Sequence, residues 1–212
     1  MRRLPVYLLI DTSGSMFGEP IEAVKNGLQM LVSSLRQDPY ALETAHVSVI
    51  TFANEAKQVV PLTELAQFQS PELKAAGTTA MGEALALLAD CVEREVQKGS
   101  ASQKGDWKPV VFLLSDGSPT DDLDKGIAAL RAIKTGAFIC CAAGQSADTN
   151  SLKKITELVV NLDTADSASI KSFFKWVSSS ISVSSQKIEQ GKKEVSGLGD
   201  LPPPPPEVNV VI

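Results

Sequence analysis

The stretch LLIDTSGSMFGEP, residues 8–20, decides the fold. An apolar run ends here on Asp11, Ser13 and Ser15, three oxygen-bearing side chains separated by single residues. Residues 4–10 are apolar almost without alternation, which is typical of a strand that is covered on both faces. We therefore predict a first strand that ends at a cluster of polar side chains.

The same pattern returns about a hundred residues later, in KPVVFLLSDGSPTDD, residues 108–122. Here an apolar strand over residues 110–114 ends on Ser115 and Asp116. Ligands of open α/β sheets bind beyond the carboxyl ends of the strands, so we expect Asp116 to lie near the end of the first strand. Asp121 and Asp122 follow where a helix begins and are interpreted as caps.

A third segment, AGTTAMGEAL at residues 76–85, enters a helix. Gly77 permits a sharp turn, and Thr78 or Thr79 offers a hydroxyl. Hard oxygen ligands without histidine or thiolate suit Mg²⁺, or less specifically Mn²⁺ and Ca²⁺. If hydroxyls bind such an ion directly and the aspartates act through water, little of its charge is neutralised. The ion then attracts an acidic group from outside.

Strands alternate with helices along the rest of the chain. This predicts a doubly wound α/β fold, with a mostly parallel central sheet and helices on both faces. One antiparallel edge is expected from a hairpin at Asn54 and Glu55. The predicted helices cover residues 19–37, 85–96, 123–130, 151–159 and 170–181, and the further strands cover 46–53, 56–62, 137–143 and 159–162.

The composition predicts one domain over residues 1–183 and a flexible proline-rich tail over residues 184–212. The tail is rich in Ser, Gly, Lys and Glu and carries five consecutive prolines, which favours an extended or disordered segment. The alternative is a docking segment, because a polyproline II stretch is easily ordered and residues 208–212 could add to a sheet edge.

Composition also excludes several partners. The net charge is −5, so the basic face needed for nucleic acid is not evident. No apolar run reaches the roughly 20 residues of a membrane helix. The opening MRRLPVYLLID imitates a signal peptide but lacks a small-residue cleavage site, so a cytoplasmic protein is predicted.

Cys91, Cys140, Cys141 and the single His46 are interpreted as structural.

The motifs DTSGS, the Gly-Thr-Thr loop and LLSDG resemble the metal-ion-dependent adhesion site of von Willebrand factor type A domains. The resemblance covers about residues 4–183 and carries Asp11, Ser13, Ser15, Thr79 and Asp116 onto the five motif positions. Thr79 is preferred because TAMGEAL aligns with the family's pattern. The resemblance implies that the three hydroxyls contact the ion, that the aspartates often act through water, and that the sixth position accepts a partner's Glu or Asp.

Further details, DTSGSMFGEPI, GTTAMGEAL and LLSDGSPTDD, look closest to the bacterial TerY-type proteins of tellurium-resistance clusters. That narrower resemblance implies a non-enzymatic stress-response scaffold with kinase-like or phosphatase-like protein partners. Met81 departs from the family pattern, since many relatives have a second Thr there, which leaves the hydrogen bonding of that loop open.

The alternative function is a Mg²⁺-dependent phosphatase or phosphotransferase that uses Asp11 as its nucleophile, with Asp116 helping to hold the ion. The haloacid-dehalogenase type of phosphatase has an Asp at this place but requires a carboxylate two residues later, where this chain has Ser13. A nucleotide-binding module is less favoured still, because no glycine-rich phosphate loop follows the first strand.

Overall fold

The computed structural model describes residues 2–189 and 198–211, which form one seven-stranded sheet. Its spatial order is β3-β2-β1-β4-β5-β6-β7, and the five central strands are parallel. The strands are β1 (Leu4–Asp11), β2 (Ala45–Phe52), β3 (Ala56–Glu64), β4 (Val110–Ser115), β5 (Phe138–Ala143), β6 (Val159–Leu162) and β7 (Asn209–Val210).

Helices cover both faces of the sheet, which confirms the doubly wound architecture. One face packs against α1, α2 and α6, and the other against α3, α4 and α5. Cys141 lies in the first apolar layer and Cys140 in the second, as alternation along a strand predicts, and both are buried thiols. The helices are α1 (Glu19–Arg36), α2 (Pro39–Thr44), α3 (Met81–Glu95), α4 (Leu123–Leu130), α5 (Thr149–Ile155) and α6 (Ser167–Glu189).

Two features of the fold differ from the prediction. The described residues give the sheet two antiparallel edges rather than one, because β7 pairs with β6 while β3 pairs with β2. The short helix α2 was not predicted. Its start is nevertheless encoded locally, since the Asp38 carboxylate accepts hydrogen bonds from the backbone N–H groups of Tyr40 and Ala41.

The described part of the segment predicted to be an extended or disordered tail departs from that prediction at residues 184–189, which are helical. Helix α6 continues to Glu189, past the change in composition. Residues 198–211 then return along the molecule, with Leu201 and Val208 buried. The indole N–H of Trp176 donates to the Pro202 carbonyl at 2.8 Å. The alternative of strand addition is confirmed for Asn209 and Val210, whereas residues 190–197 and 212 lie outside the described residues.

The parallel register brings the predicted polar positions to one edge of the sheet. Strand β1 lies between β2 and β4, with Ile10 opposite Leu114, so the next residues, Asp11 and Ser115, end neighbouring strands at the same level. Among the described helices, none combines the length and the hydropathy needed to cross a membrane.

Candidate metal centre

Asp11 lies at the buried end of the site, with no solvent exposure. Its Oδ1 accepts a hydrogen bond from the Ser13 backbone N–H at 2.8 Å, and its Oδ2 accepts one from Ser115 Oγ at 2.5 Å. The carboxylate is therefore held from both sides, by its own loop and by the neighbouring strand.

A row of oxygen atoms extends outward from Asp11. Ser13 Oγ lies 3.0 Å from Ser15 Oγ, and Ser15 Oγ donates to Asp116 Oδ1 at 2.7 Å. Ser13 precedes a short 3₁₀ turn, Gly14–Met16, which contains Ser15 and is anchored by the buried side chain of Met16. Ser15 thus lies at hydrogen-bonding distance from Ser13 in its own loop and from Asp116, 101 residues further along the chain.

The loop that carries Thr78 and Thr79, called the threonine loop below, approaches this row of oxygens beside Gly117. A side-chain carbon added to Gly117 would lie 3.7 Å from Thr79 Oγ1 and 3.9 Å from Ser15 Oγ, so both hydroxyls face the same space. Thr78 is directed elsewhere, because its backbone N–H and its hydroxyl bind Asn54 Oδ1 at 2.9 and 3.1 Å. Thr79, which is 6% exposed, is therefore the threonine that the structure brings to the site.

Thr120 holds the threonine loop in place. Its Oγ1 accepts from the Thr79 backbone N–H at 3.0 Å, and its own N–H donates to the Thr79 carbonyl at 2.9 Å. Met81 is fully buried in the core and offers no hydroxyl to this loop. Hydrogen bonds that hold the loop come instead from Thr120. Asp121 adds a further tie, since its carboxylate accepts from the N–H groups of Gly82 and Glu83 at the start of α3.

The electrostatics of the site favour the arrival of a cation. Burial raises the pKa of Asp11 above its usual range, and the hydrogen bonds from Ser115 and Ser13 oppose that rise only in part. Burial likewise raises the pKa of Asp116, against the effect of the Ser15 hydroxyl. Within the described part of the chain, neither carboxylate forms an ion pair with Lys or Arg. Two buried acids therefore share a site without a positive partner.

The donor set fits a hard divalent cation. Oxygen ligands about 2.1 Å from an octahedral Mg²⁺ stand about 3 Å from each other, and Ser13 Oγ and Ser15 Oγ are separated by 3.0 Å. Over residues 2–189 and 198–211, no three His, Cys, Asp or Glu side chains gather as a metal-binding group. An ion in this place would therefore depend on hydroxyl and water oxygens in addition to the two carboxylates.

Three supporting residues were missed from the sequence. The sequence pattern indicates Ser115 only as the end of a strand, and it does not link Thr120 or Asn54 to the site. A local signal exists for Ser115, because it directly precedes Asp116 at a strand end that faces the ligand edge. Thr120 and Asn54 are brought to the threonine loop only by the folded arrangement of three separate segments.

Comparison with known proteins places this architecture in a family. The model of the von Willebrand factor type A domain matches residues 6–176, and the chain belongs to that family. Domains of this family generally mediate metal-dependent protein interactions.

Individual relatives resemble the chain over part of their length. A protein of Synechocystis sp. that is described only as uncharacterized is 36% identical over 123 residues, which are 55% of this chain and 26% of that protein. A von Willebrand factor type A structure from Catenulispora acidiphila superposes with a TM-score of 0.66 at 22% identity, covering 85% of this chain and 43% of that one. Proximal thread matrix protein 1 of the mussel byssus, solved with a zinc-occupied MIDAS motif, gives 0.60 at 18% identity, covering 87% and 46%.

Proposed function

We propose that this chain is a metal-dependent protein-binding module. In this proposal Asp11, Ser13, Ser15, Thr79 and Asp116 hold Mg²⁺, with Mn²⁺ or Ca²⁺ as alternatives, and the centre captures a Glu or Asp side chain of a partner protein. The observation that carries it is the row of oxygens from Ser13 through Ser15 to Asp116, with Thr79 Oγ1 facing the same space. Asp11 and Asp116 are both buried, and neither has a positive partner among the described residues.

The hydrogen bonds support a division of roles among these residues. Both oxygens of Asp11 are already bound, by the Ser13 N–H and the Ser115 hydroxyl, so Asp11 acts by its charge and through water. Ser13, Ser15 and Thr79 present the neutral hydroxyls. Bound there, a divalent ion supplies positive charge and a coordination position that suits a carboxylate. Because the hydroxyls add no negative charge, they leave the site attractive to an acidic partner.

We propose that the chain has no enzymatic activity. The burial of Asp11 and the engagement of both of its oxygens support an orienting role over that of a nucleophile. The phosphatase alternative has a direct assay: hydrolysis of a phosphate ester in Mg²⁺ should not exceed the rate in buffer alone. Hydrolysis that depends on Asp11 would overturn the binding proposal.

The biological setting is proposed from the resemblance to TerY-type proteins. On that basis the module works in a bacterial tellurium-resistance or stress-response system, in the cytoplasm, with kinase-like or phosphatase-like proteins as candidate partners. The mussel protein with a zinc-occupied MIDAS motif supports divalent-metal binding by a related fold. Three buried thiols are compatible with a reducing compartment.

Adjacent threonines provide a matched test of the metal centre. Thr79→Val removes a hydroxyl that faces the site, whereas Thr78→Val removes one that binds Asn54. Mn²⁺ binding, followed by electron paramagnetic resonance with Mg²⁺ as competitor, should weaken by about tenfold or more in Thr79→Val and stay unchanged in Thr78→Val. Equal affinity in the two variants would remove Thr79 from the centre.

Partner capture is tested by a pulldown from cell lysate with and without Mg²⁺. The captured proteins should disappear in EDTA and in Asp11→Ala, while the circular dichroism spectrum of the variant stays that of the folded domain. The exposed Asp124→Ala is the matched control and should capture normally. Capture that survives both EDTA and Asp11→Ala would show that the metal is not the contact.

A further inference from the structure

A large apolar side chain stands exposed at the rim of the candidate metal centre. Phe17, two residues beyond Ser15, is 78% exposed. Its position is fixed by its surroundings, because Met16 beside it is fully buried and the Phe17 N–H donates to the Gly14 carbonyl at 3.1 Å. Gly18 follows with φ +88°, a turn that an L side chain rarely adopts. The backbone conformation of this turn therefore holds the phenyl ring in solvent.

A groove of about 490 Å³ lies beside the ring. Its floor is apolar, since it includes Ile21 at 4% exposure and Leu73 at 1% exposure. The segment that carries Leu73 is tied to the metal-site loop, because the Ala76 N–H donates to the Thr12 carbonyl at 2.9 Å. The groove and the row of oxygens thus lie on loops that are hydrogen-bonded to each other.

The charged side chains around the groove already have partners. Lys25 Nζ lies 2.6 Å from Glu22 Oε1, and Lys74 Nζ lies 3.0 Å from Glu72 Oε1. The carboxylate of Glu19 accepts from the Ser167 backbone N–H at the start of α6. Because both lysines have carboxylate partners and Glu19 has a backbone donor, the groove favours an apolar group over a charged one.

We infer that Phe17 and this groove bind an apolar side chain of the same partner segment whose acidic residue enters the metal centre. The inference rests on the proposed function and specifies the partner: an extended segment with an acidic residue and a large apolar residue two positions apart. Two residues of extended chain span about 7 Å, which is the upper limit on the separation of Ser15 and Phe17, two residues apart at the end of the 3₁₀ turn. In an extended segment, residues two apart face the same side.

The probe is a library of random 12-residue peptides displayed on phage, selected on the full chain in Mg²⁺ and released with EDTA. The same selection is run on Phe17→Ser and on Tyr40→Ser, a control at an aromatic residue of α2 that is 41% exposed. Mn²⁺ binding is measured for all three proteins, to confirm that the metal centre is intact in each.

The full chain and Tyr40→Ser should enrich peptides that carry Asp or Glu with a Phe, Leu, Ile or Trp two positions away. Phe17→Ser should still enrich the acidic residue but lose the apolar preference. A selected peptide should bind Phe17→Ser about tenfold or more weakly than the full chain in Mg²⁺.

Acidic peptides without an apolar neighbour, or an apolar preference that persists in Phe17→Ser, would overturn the groove while leaving the metal-dependent function in place. Apolar peptides that stay bound in EDTA would overturn the coupling of the groove to the metal. If no peptide is released by EDTA although Mn²⁺ binds, the proposed capture of an acidic residue fails, and the inference fails with it.

Discussion

Ser115→Ala is the substitution whose effect follows most directly from the geometry of the site. The Ser115 hydroxyl donates to Asp11 Oδ2 at 2.5 Å, and both residues are completely buried. Removing the donor leaves one oxygen of a buried carboxylate without a partner where water does not reach. A hydrogen bond to a charged group contributes roughly 1.5–3 kcal/mol, so we expect the free energy of unfolding in EDTA to fall by about 2 kcal/mol.

Ser180→Ala is the matched control for this change. The Ser180 hydroxyl is equally buried but donates to the neutral Trp176 carbonyl at 2.8 Å, within helix α6. A bond between neutral groups contributes about 1 kcal/mol or less, so the control should lose clearly less stability. Urea denaturation of the three proteins near pH 7.5, in EDTA, measures both differences.

The pH dependence of stability provides a second, independent test of this role of Ser115. Burial raises the pKa of Asp11 in the folded protein, so burying its ionised form destabilises the fold above that pKa, and the penalty is relieved as the pH falls through it. Loss of the Ser115 hydroxyl raises this pKa further. The stability difference between Ser115→Ala and the unsubstituted chain should therefore shrink in acid, towards about 1 kcal/mol.

Two results would refute this reasoning. Equal losses in Ser115→Ala and Ser180→Ala near pH 7.5 would mean that the hydroxyl does not support a charged carboxylate. A difference that grows as the pH is lowered would mean that Asp11 is not the group that responds.

Three further outcomes are expected. Metal affinity should fall on acidification, because protons compete for carboxylates whose pKa values burial has raised. Calorimetry with Mn²⁺ near pH 7.5 and near pH 5.5 measures this, and equal affinities at the two pH values would contradict it. Gly27→Ala places a carbon 2.4 Å from the Phe174 ring and should cost about 1–3 kcal/mol in urea denaturation, whereas a gain would mean that α1 and α6 can separate freely. Truncation after Glu189 removes buried Leu201 and Val208 and should lower stability by at least about 2 kcal/mol; an unchanged urea midpoint would refute their structural role.

Local patterns predicted the main elements because each pattern is set by short-range physics. The apolar residues before Asp11 indicated a strand covered on both faces, and the spacing of apolar residues in α1 and α3 indicated helices packed on one side. The carboxyl-end rule then predicted that Asp11 and Asp116 lie near each other. The structure places them in one row through Ser15.

The missed parts depend on contacts between distant segments. The tail composition favoured disorder, yet Leu201 and Val208 find apolar surface on the folded domain, and β7 finds an open edge at β6. Neither surface exists until the sheet and α6 have formed. The same holds for Thr120, whose hydroxyl supports a loop 41 residues earlier in the chain.

The sequence by itself determined which oxygen-bearing side chains stand at strand ends, because hydrophobic periodicity sets where each strand stops. Only the tertiary structure decided which of two neighbouring threonines faces the site and which hydroxyl supports the buried Asp11. It also decided that Phe17 stands in solvent beside an apolar groove. These outcomes depend on packing between segments up to a hundred residues apart, which no local pattern encodes.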